Sequence, residues 1–326
     1  MKTSFRAGYG GPAILEVREA PTPEPGPGET LVRVHAATVS RTDCGVLQGR
    51  PRVLRLLVGW PRPRRAATGT DFAGEVVAVG SGAARFHVGE RVMGFHDVGL
   101  GSHAEYVLLE PRHAAVRIPR GVTSEHAAAG MEGAHYARNA MRRVLLEPGA
   151  EVLVYGATGA IGSAAVALLH EAGAVVTAVC ARRHHAAVEA LGADRTLDHE
   201  VPGWLDDVAD DSFAFVFDAV GKLTRKDFRR VLRRNGLYIS SELGPWGQNL
   251  YFAAAGPLLG RPRVRFPFPT DIRATLELVT ELLAQARYTP LIDRHYRLDE
   301  IAEAFTYADS GQKVGSIVLT LVAEGR

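Results

Sequence analysis

Residues 152–162 read Val-Leu-Val-Tyr-Gly-Ala-Thr-Gly-Ala-Ile-Gly, a short apolar strand that runs into a glycine-rich turn. A helix is predicted over residues 160–172, and a second strand over residues 175–180 follows at the spacing of a βαβ unit. Small residues let the backbone approach a phosphate, and a helix N-terminus offers unpaired N–H groups with a partial positive charge. This order predicts a site for the pyrophosphate of a dinucleotide, with an αβ turn that binds no ligand as the alternative. The predicted contacts come from Gly156, Ala157, Thr158, Gly159, Ala160, Ile161 and Gly162.

The bulk composition describes a chain long enough for two domains with separate cores. The 326 residues are 46% hydrophobic and 23% charged, and the net charge is only +2. Such a small, scattered charge gives no reason to expect nucleic acid or a membrane as partner. The only cysteines, Cys44 and Cys180, exclude a disulfide framework and are typical of a reducing compartment. No apolar leader follows the first residues and no apolar run reaches the ~18 residues of a membrane span, so we expect a cytoplasmic protein.

The predicted elements fall into two groups along the chain. Strand-like runs separated by Pro- and Gly-rich turns fill the first 125 residues, whereas strands and helices alternate from residue 151 onward. Alternation of this kind is typical of a doubly wound parallel sheet. Helices are predicted at residues 124–145 and 224–233, among others, and the closing strand at 315–322 is expected to rejoin the β-rich part. We therefore predict an α/β protein with a discontinuous β-rich domain (1–124 and 288–326) and a nucleotide-binding domain (125–287).

Several further motifs occur in the order that one known family shows. They are Val39-Ser40-Arg41-Thr42-Asp43-Cys44-Gly45, Gly69-Thr70-Asp71-Phe72-Ala73-Gly74-Glu75-Val76, Phe86-His87-Val88-Gly89-Glu90-Arg91-Val92, Leu191-Gly192-Ala193-Asp194, Phe217-Asp218-Ala219-Val220-Gly221 and Gly315-Ser316-Ile317-Val318. With the glycine-rich turn, they make the chain resemble, almost end to end, a medium-chain dehydrogenase/reductase of the zinc-free quinone oxidoreductase and enone reductase branch. The resemblance implies a GroES-like β-rich domain and a Rossmann domain, with the active site in the cleft between them. By analogy with relatives it also implies a homodimer.

The residues after the second strand of the βαβ unit bear on which dinucleotide would bind. NAD-selective Rossmann domains place an Asp or Glu there to hold the ribose 2′-hydroxyl, but this chain has Arg182 and Arg183. Because a planar guanidinium matches a 2′-phosphate, we predict NADPH (or NADP+) as cofactor; solvated side chains in an arginine-rich protein are the alternative. Further cofactor contacts are expected from Cys180, Ala219, Val220, Ser240 and Lys313, although a surface position is the default for the lysine.

The same family resemblance bears on whether the protein carries zinc. Zinc-dependent members ligate the metal through a Cys and a Gly-His-Glu motif, and the corresponding places here are Ser40 and Gly69-Thr70-Asp71. The side chains of Cys44, Asp71, His96 and His103 are of types that could converge on a metal, but scattered histidines more often lie on the surface or in hydrogen-bonded cores. We therefore expect no metal.

Catalytic residues are hard to predict here because hydride transfer depends on geometry and requires few signature residues. Relatives carry a Pro-x-x-x-x-Thr-Ala pattern on the helix that enters the second domain, whereas this chain has Met131 and Tyr136 at the Pro and Thr positions. Tyr136 or His135 is therefore a candidate donor of a proton or hydrogen bond to the substrate. In the alternative, Tyr136 packs in the cleft and His135 faces solvent.

Two more regions are expected near a substrate. Asp43 is a third catalytic candidate, with a structural role as its alternative, and the resemblance implies that Ser40 and Phe268 line the substrate cleft. The basic segment at residues 50–65 carries six arginines interrupted by leucines and Trp60. It could hold an acidic or carrier-bound substrate, or it could be an amphipathic helix with a solvated Arg face and a core-facing Leu face. No recognised nucleic-acid module surrounds it.

Together these features predict an NADPH-dependent, zinc-independent reductase that transfers hydride to a small molecule. The acceptor would be the activated C=C bond of an enone, or a quinone, with charge collecting on a carbonyl oxygen where fixed donors stabilise it. One alternative is a tailoring reductase of secondary metabolism that acts on an imine or an unusual intermediate. The other is an NADPH-binding protein without turnover, because one scaffold hosts many functions.

Overall fold

The computed structural model of the chain describes residues 1–242, 249, 251, 264, 265 and 270–322. Within this part the chain clusters in two units. The first takes its residues from Met1–Met131, Ile272–Ala286 and Pro290–Arg326, and the second from Glu132–Asp271 and Arg287–Thr289. The sequence analysis assigned residues 272–286 to the nucleotide-binding domain, whereas here they cluster with the β-rich unit.

Strands predominate in the first unit and alternate with helices in the second. In chain order the strands are β1 (Lys2–Phe5), β2 (Glu16–Glu19), β3 (Thr30–Val39), β4 (Asp71–Val79), β5 (Arg91–Phe95), β6 (Tyr106–Leu109), β7 (Ala115–Arg117), β8 (Glu151–Tyr155), β9 (Val175–Cys180), β10 (Arg195–Asp198), β11 (Phe213–Asp218), β12 (Leu232–Ser240), β13 (Val264–Arg265), β14 (Ile292–Arg297) and β15 (Ser316–Thr320). The helices that the described residues form are α1 (Arg41–Gln48), α2 (Leu54–Val58), α3 (Ser124–Ala129), α4 (Met131–Met141), α5 (Ala160–Glu171), α6 (His185–Glu189), α7 (Ile272–Ala284) and α8 (Ile301–Ser310).

The first unit is organised around a seven-stranded sheet. Its order is β14-β15-β3-β4-β5-β7, with β6 paired to β3 as well. The closing strand β15 runs antiparallel to β3, with Ile317 opposite Val39, so the last part of the chain completes the β-rich unit as the sequence predicted. One core lies where α1 and α8 pack near β15, around Leu47 and Phe305, and a second core surrounds Phe72.

The second unit contains a six-stranded sheet in which every neighbouring pair is parallel. The strand order is β10-β9-β8-β11-β12-β13, which is the doubly wound order 3-2-1-4-5-6 of a Rossmann fold. The central strands are apolar on both faces, as parallel strands covered by helices must be: Val152, Leu153 and Val154 of β8 are fully buried. The α/β, doubly wound prediction is confirmed. Among the described residues, no helix is long and apolar enough to cross a membrane.

Two predicted helices differ in the structure. The helix expected over 124–145 is divided at Gly130 into α3 and α4, because glycine is among the weakest helix formers. The helix expected over 224–233 was wrong: residues 225–231 form successive turns and β12 begins at Leu232. There the carbonyl oxygens of Arg230 and Val231 accept N–H groups of Asp211 and Phe213, so they are not available to a continuing helix.

Candidate functional site

The parallel sheet of the second unit gathers the predicted cofactor residues at one edge. Because β8, β9, β11 and β12 are parallel, their carboxyl ends lie at the same side, and the strand order reverses between β9-β8 and β11-β12. Ligands of open α/β sheets bind outside the carboxyl ends at such a reversal. The segments that begin at Gly156, Ala181, Ala219 and Ser241 all leave the sheet there.

The glycine-rich turn after β8 is shaped by two close approaches that only glycine permits. Gly156 has φ +78°, and a Cβ on it would lie 2.2 Å from Cγ2 of Val220. A Cβ on Gly162 would lie 2.1 Å from the carbonyl oxygen of Gly156. The turn is held against strand β9, because the N–H groups of Gly156 and Ala157 both donate to the carbonyl of Val179, at 3.1 Å each. The backbone therefore folds tightly against the sheet at the point where a phosphate would sit.

The N-terminus of α5 continues this turn and carries donors that no side chain caps. Its N-cap is Gly159, no side-chain cap bond is made there, and no acidic residue stands in the first turn. The first helical hydrogen bond is donated by Ser163 N–H to the carbonyl of Gly159 at 2.8 Å. The N–H groups of Ala160, Ile161 and Gly162 precede that bond, and the helix dipole adds a partial positive charge, so an anion would be stabilised here.

Two residues that the sequence analysis did not single out support the same edge. A Cβ on Gly133 in α4 would lie 2.3 Å from the carbonyl oxygen of Ala160, so α4 approaches the start of α5 closely. At the end of β11, the buried carboxylate of Asp218 accepts the N–H groups of Val220 and Gly221 at 2.8 Å each, and the Tyr238 hydroxyl at 2.6 Å. An Asp followed by small residues after a buried strand is the signal of such an Asx turn, and it was readable from the sequence.

The two arginines after β9 differ in their surroundings. Arg183 forms an ion pair with Glu200 at 2.9 Å, in which both side chains are largely exposed. Arg182 is exposed as well, and within the described part of the chain it has no ion-pair partner. Cys180 is buried, and burial raises the pKa of its thiol to about 11. The predicted phosphate contact therefore rests on Arg182, and Cys180 offers only its backbone.

The other predicted cofactor residues are placed as follows. Ser240 is buried at the end of β12, and its hydroxyl accepts the N–H of Glu242 at 3.2 Å. Lys313 belongs to the first unit and donates from Nζ to the carbonyl of Gly315 at 2.7 Å. Phe268, which was predicted to line the substrate cleft, lies outside the described residues. Of these, Ser240 shares the carboxyl edge of the sheet with the glycine-rich turn.

The catalytic candidates of the second unit lie next to each other on α4. His135 is 1% exposed, which corrects the alternative in which it faces solvent. Burial lowers the pKa of His135 to about 4, so the ring is neutral at neutral pH. Asn139 donates from Nδ2 to the carbonyl of His135 at 2.8 Å, and its Oδ1 accepts the N–H of Thr270 at 3.2 Å. Tyr136 is half-buried, with its ring edge-on to His135 at 5.8 Å.

In the first unit, Asp43 and Ser40 form the capping box of α1. The Ser40 hydroxyl accepts Asp43 N–H at 3.1 Å, and Oδ2 of Asp43 accepts the Ser40 N–H at 3.0 Å and its hydroxyl at 2.8 Å. Both side chains are buried. Burial raises the pKa of Asp43 to about 6, although the hydrogen bonds from Ser40 and Thr70 and the charge of Arg6 act in the opposite direction. A capping box fixes the start of a helix, so this geometry supports the structural role.

The raised pKa of Asp43 makes a stability prediction. An unfolded aspartate titrates near 3.8, so the folded protein holds this proton more tightly. The stability that Asp43 contributes is therefore complete below that value and is lost as the pH rises through about 6. The difference between the folded and unfolded pKa values of Asp43 corresponds to roughly 3 kcal/mol of folding stability. We expect Asp43→Asn, which cannot ionise, to lose less stability than the wild type between about pH 4 and about pH 7 in urea denaturation. Parallel pH profiles of the two proteins would contradict the assignment.

Three of the residues considered for a metal, Asp71, His103 and Cys44, are engaged in hydrogen bonds. Asp71 accepts the N–H of Thr38 at 2.6 Å, and His103 contacts the Thr38 carbonyl at 2.9 Å through Nε2 and the Thr68 hydroxyl at 2.8 Å through Nδ1. Cys44 donates to the carbonyl of Phe305 at 3.7 Å. The described residues contain no group of three or more His, Cys, Asp or Glu side chains placed to share a metal ion. They do not fit a zinc site.

Two protein-family models match separate parts of the chain. The model described as an alcohol dehydrogenase GroES-like domain matches residues 26–120, and the model described as a zinc-binding dehydrogenase matches residues 191–319. The first of these matches lies within the β-rich first unit.

Curated relatives and solved structures align along nearly the whole chain. A quinone oxidoreductase of Pseudomonas aeruginosa is 31% identical and covers 96% of this chain and 97% of its own. A chloroplastic quinone-oxidoreductase homolog of Spinacia oleracea is 29% identical, with 96% of each chain covered. The solved quinone oxidoreductase of Coxiella burnetii has a TM-score of 0.82 at 22% identity over 99% of each chain. A mycobacterial protein solved with NADPH has a TM-score of 0.77 at 22% identity, over 98% of this chain and 99% of its own. These two structures agree with this one in fold.

Proposed function

Because the chain belongs to the medium-chain dehydrogenase/reductase family, with quinone oxidoreductases among its relatives, and is an oxidoreductase that binds a nicotinamide dinucleotide, we propose that it uses NADPH to reduce an activated C=C bond or a quinone. The observation that carries the proposal is the edge of the parallel sheet, where a glycine turn, an uncapped helix N-terminus and Arg182 follow neighbouring strands. These are the groups that a dinucleotide with a 2′-phosphate requires.

The preference for NADPH rests on charge at the end of β9. A 2′-phosphate carries negative charge that an arginine can hold with two parallel hydrogen bonds. Arg182 is exposed and unpaired within the described residues, and no carboxylate occurs among residues 179–184 to hold a ribose 2′-hydroxyl instead. The mycobacterial neighbour solved with NADPH supports the same choice.

The residues of this chain would bind and orient the cofactor in three places. The N–H groups of Ala160, Ile161 and Gly162 would hold the pyrophosphate, and Arg182 the 2′-phosphate. Ser240 and Val220, at the ends of β12 and β11, would position the nicotinamide half. When bound, the dinucleotide supplies a hydride. An enone or a quinone accepts it because the developing charge reaches a carbonyl oxygen, where hydrogen-bond donors stabilise it.

The donor of the proton that completes the reduction is proposed by excluding two of the three catalytic candidates. His135 is neutral at neutral pH because burial lowers its pKa to about 4, and a neutral imidazole is a poor acid. Asp43 is held in the capping box of α1. We propose Tyr136, which is half-buried, as the side chain that donates a hydrogen bond or proton to the substrate. Zinc has no part in this proposal, because the described residues do not fit a zinc site.

The proposal is tested by following NADPH absorbance with a panel of quinones, linear enones and cyclic enones, with NADH in parallel. We expect turnover with at least one acceptor class, faster with NADPH than with NADH, and unchanged after treatment with a zinc chelator. A saturated alcohol with NADP+ is the matched control and should give no turnover. Tight NADPH binding with no oxidation by any acceptor would favour a binding protein without turnover.

A further inference from the structure

A basic and apolar segment of the first unit has no place in the proposed function. We call residues 50–65 the basic-apolar arm. From Cys44 to Thr70 the chain has six arginines and no acidic residue. The arm contains the short helix α2 (Leu54–Val58), whose turns begin with Leu54 N–H donating to the carbonyl of Pro51 at 2.8 Å. This run of one sign of charge stands in a chain whose net charge is only +2.

Four apolar side chains of the arm are exposed to solvent. Val53, Leu56 and Leu57 have the i, i+3, i+4 spacing of one helix face, and they are 66%, 68% and 61% exposed. Trp60 follows and is 69% exposed. The sequence analysis allowed a leucine face turned to the core, but the structure turns these leucines to solvent. An ordinary surface helix presents polar residues to solvent, whereas this one presents apolar residues. Grouped exposed apolar residues mark a binding surface.

The inner side of the arm is firmly held, so the exposure does not come from a loose segment. The Tyr9 hydroxyl donates to the carbonyl of Gly59 at 2.5 Å. The Arg55 guanidinium donates from Nε to the carbonyl of Gly49 at 3.2 Å and lies 4.6 Å from the centroid of the Tyr9 ring. Val58 is buried. These contacts fix the direction in which the outer face points.

Most arginines of the arm have no acidic partner among the described residues. Arg65 pairs with Glu110 at 3.1 Å, and Arg64 donates to the carbonyl of Leu57 at 3.0 Å. Within the described residues Arg50, Arg52 and Arg62 are exposed and have no acidic partner. Arginine keeps its charge in any surrounding and binds phosphate oxygens with a planar fork. Arginines without an acidic partner, in the same segment as exposed leucine and tryptophan side chains, match a surface with anionic groups outside and an apolar layer beneath them.

We propose that the basic-apolar arm binds the surface of a membrane that contains anionic lipid. The side chains of Val53, Leu56, Leu57 and Trp60 enter the boundary between headgroups and acyl chains, and the free arginines contact the lipid phosphates. Amphipathic segments of this composition lie in the interface without crossing the bilayer, and each basic residue near an anionic leaflet adds attraction. The expectation of no membrane partner rested on scattered charge, whereas six arginines and four exposed apolar side chains occur together in the arm.

Co-sedimentation with vesicles tests the proposal on the full-length protein. We expect the wild type to sediment with vesicles of phosphatidylglycerol and phosphatidylcholine, weakly with phosphatidylcholine alone, and less at high salt. Leu56→Glu/Trp60→Glu and Arg50→Gln/Arg52→Gln should each weaken binding by roughly tenfold or more. All four positions are exposed, so the melting temperature should not change.

Matched variants elsewhere separate the arm from general surface effects. Leu145 is 90% exposed outside the arm, and Leu145→Glu should bind vesicles like the wild type. Arg233→Gln/Arg234→Gln, at two exposed positions of β12, should do the same. Equal vesicle binding by the arm variants and the wild type, or no binding by any of them, would overturn the proposal. A wild-type dimer that Leu56→Glu/Trp60→Glu dissociates on size exclusion would overturn it too, because the face would then be covered by a second copy.

Discussion

Gly162→Ala is expected to weaken dinucleotide binding strongly while the chain still folds. The new methyl group would lie 2.1 Å from the carbonyl oxygen and 2.9 Å from the carbonyl carbon of Gly156. Both atoms belong to the backbone, so the start of α5 must move away from the turn. The N–H groups proposed to hold the pyrophosphate move with it. Loss of two charge-assisted hydrogen bonds, each worth about 1.5–3 kcal/mol, corresponds to at least about a hundredfold in the dissociation constant for NADPH.

Isothermal titration with NADPH measures this effect, and Gly159→Ala is its control for folding. A Cβ on Gly159 would be 3.6 Å from the carbonyl oxygen of Gly156, an ordinary contact, and its φ is −68°. We therefore expect a melting temperature close to that of the wild type for Gly159→Ala and a lower one for Gly162→Ala. Wild-type affinity for NADPH in a folded Gly162→Ala would show that the dinucleotide does not use this turn.

Arg182→Ala is expected to remove the preference for NADPH over NADH. The guanidinium is exposed and has no ion-pair partner in the described part of the chain. A hydrogen bond to a charged group contributes about 1.5–3 kcal/mol, so affinity for NADPH should fall roughly 10- to 150-fold. Affinity for NADH should stay nearly constant, because NADH has no phosphate at this position. The ratio of the two dissociation constants is the quantity to measure.

Neighbouring substitutions make the test of Arg182 specific. Arg183→Ala removes the same charge from the next position. Because that guanidinium is engaged with Glu200 at 2.9 Å, we expect a smaller loss of affinity for NADPH. Arg182→Lys keeps the charge without the planar fork and should recover part of the affinity. If Arg182→Ala leaves the NADPH preference unchanged, or if Arg183→Ala removes it instead, the assignment of the 2′-phosphate contact is wrong.

The central part of the fold was predictable because local and tertiary signals agree there. The strand β9 (Val175–Cys180) matches its prediction to the residue, and α5 (Ala160–Glu171) matches the predicted 160–172 within one residue. Apolar strands, a glycine turn and a good helix former follow one another, and the preference for right-handed crossovers then favours the strand order. The sequence also predicted that the closing strand rejoins the β-rich part, and the structure adds that its partner there is β3.

Other features depend on packing that no local pattern shows. The residues before β12 have helix-forming composition, yet the carbonyl groups of Arg230 and Val231 bond to Asp211 and Phe213 instead. The burial of His135 and the outward apolar face of α2 likewise depend on what packs against each helix. A periodic pattern shows that a helix has two faces and does not show which of them faces the core. The capping box of Ser40 and Asp43, in contrast, was readable from its spacing.

The most direct test of the proposed reaction follows the hydride itself. The protein is incubated with a linear enone and NADPH deuterated at the transferable position of the nicotinamide, and the product is analysed by mass spectrometry and NMR. We predict one deuterium at the β-carbon of the saturated ketone for each NADPH oxidised, with a proton from solvent at the α-carbon. Deuterium on the former carbonyl carbon, or oxidation of NADPH with no deuterium in the product, would contradict reduction of an activated C=C bond.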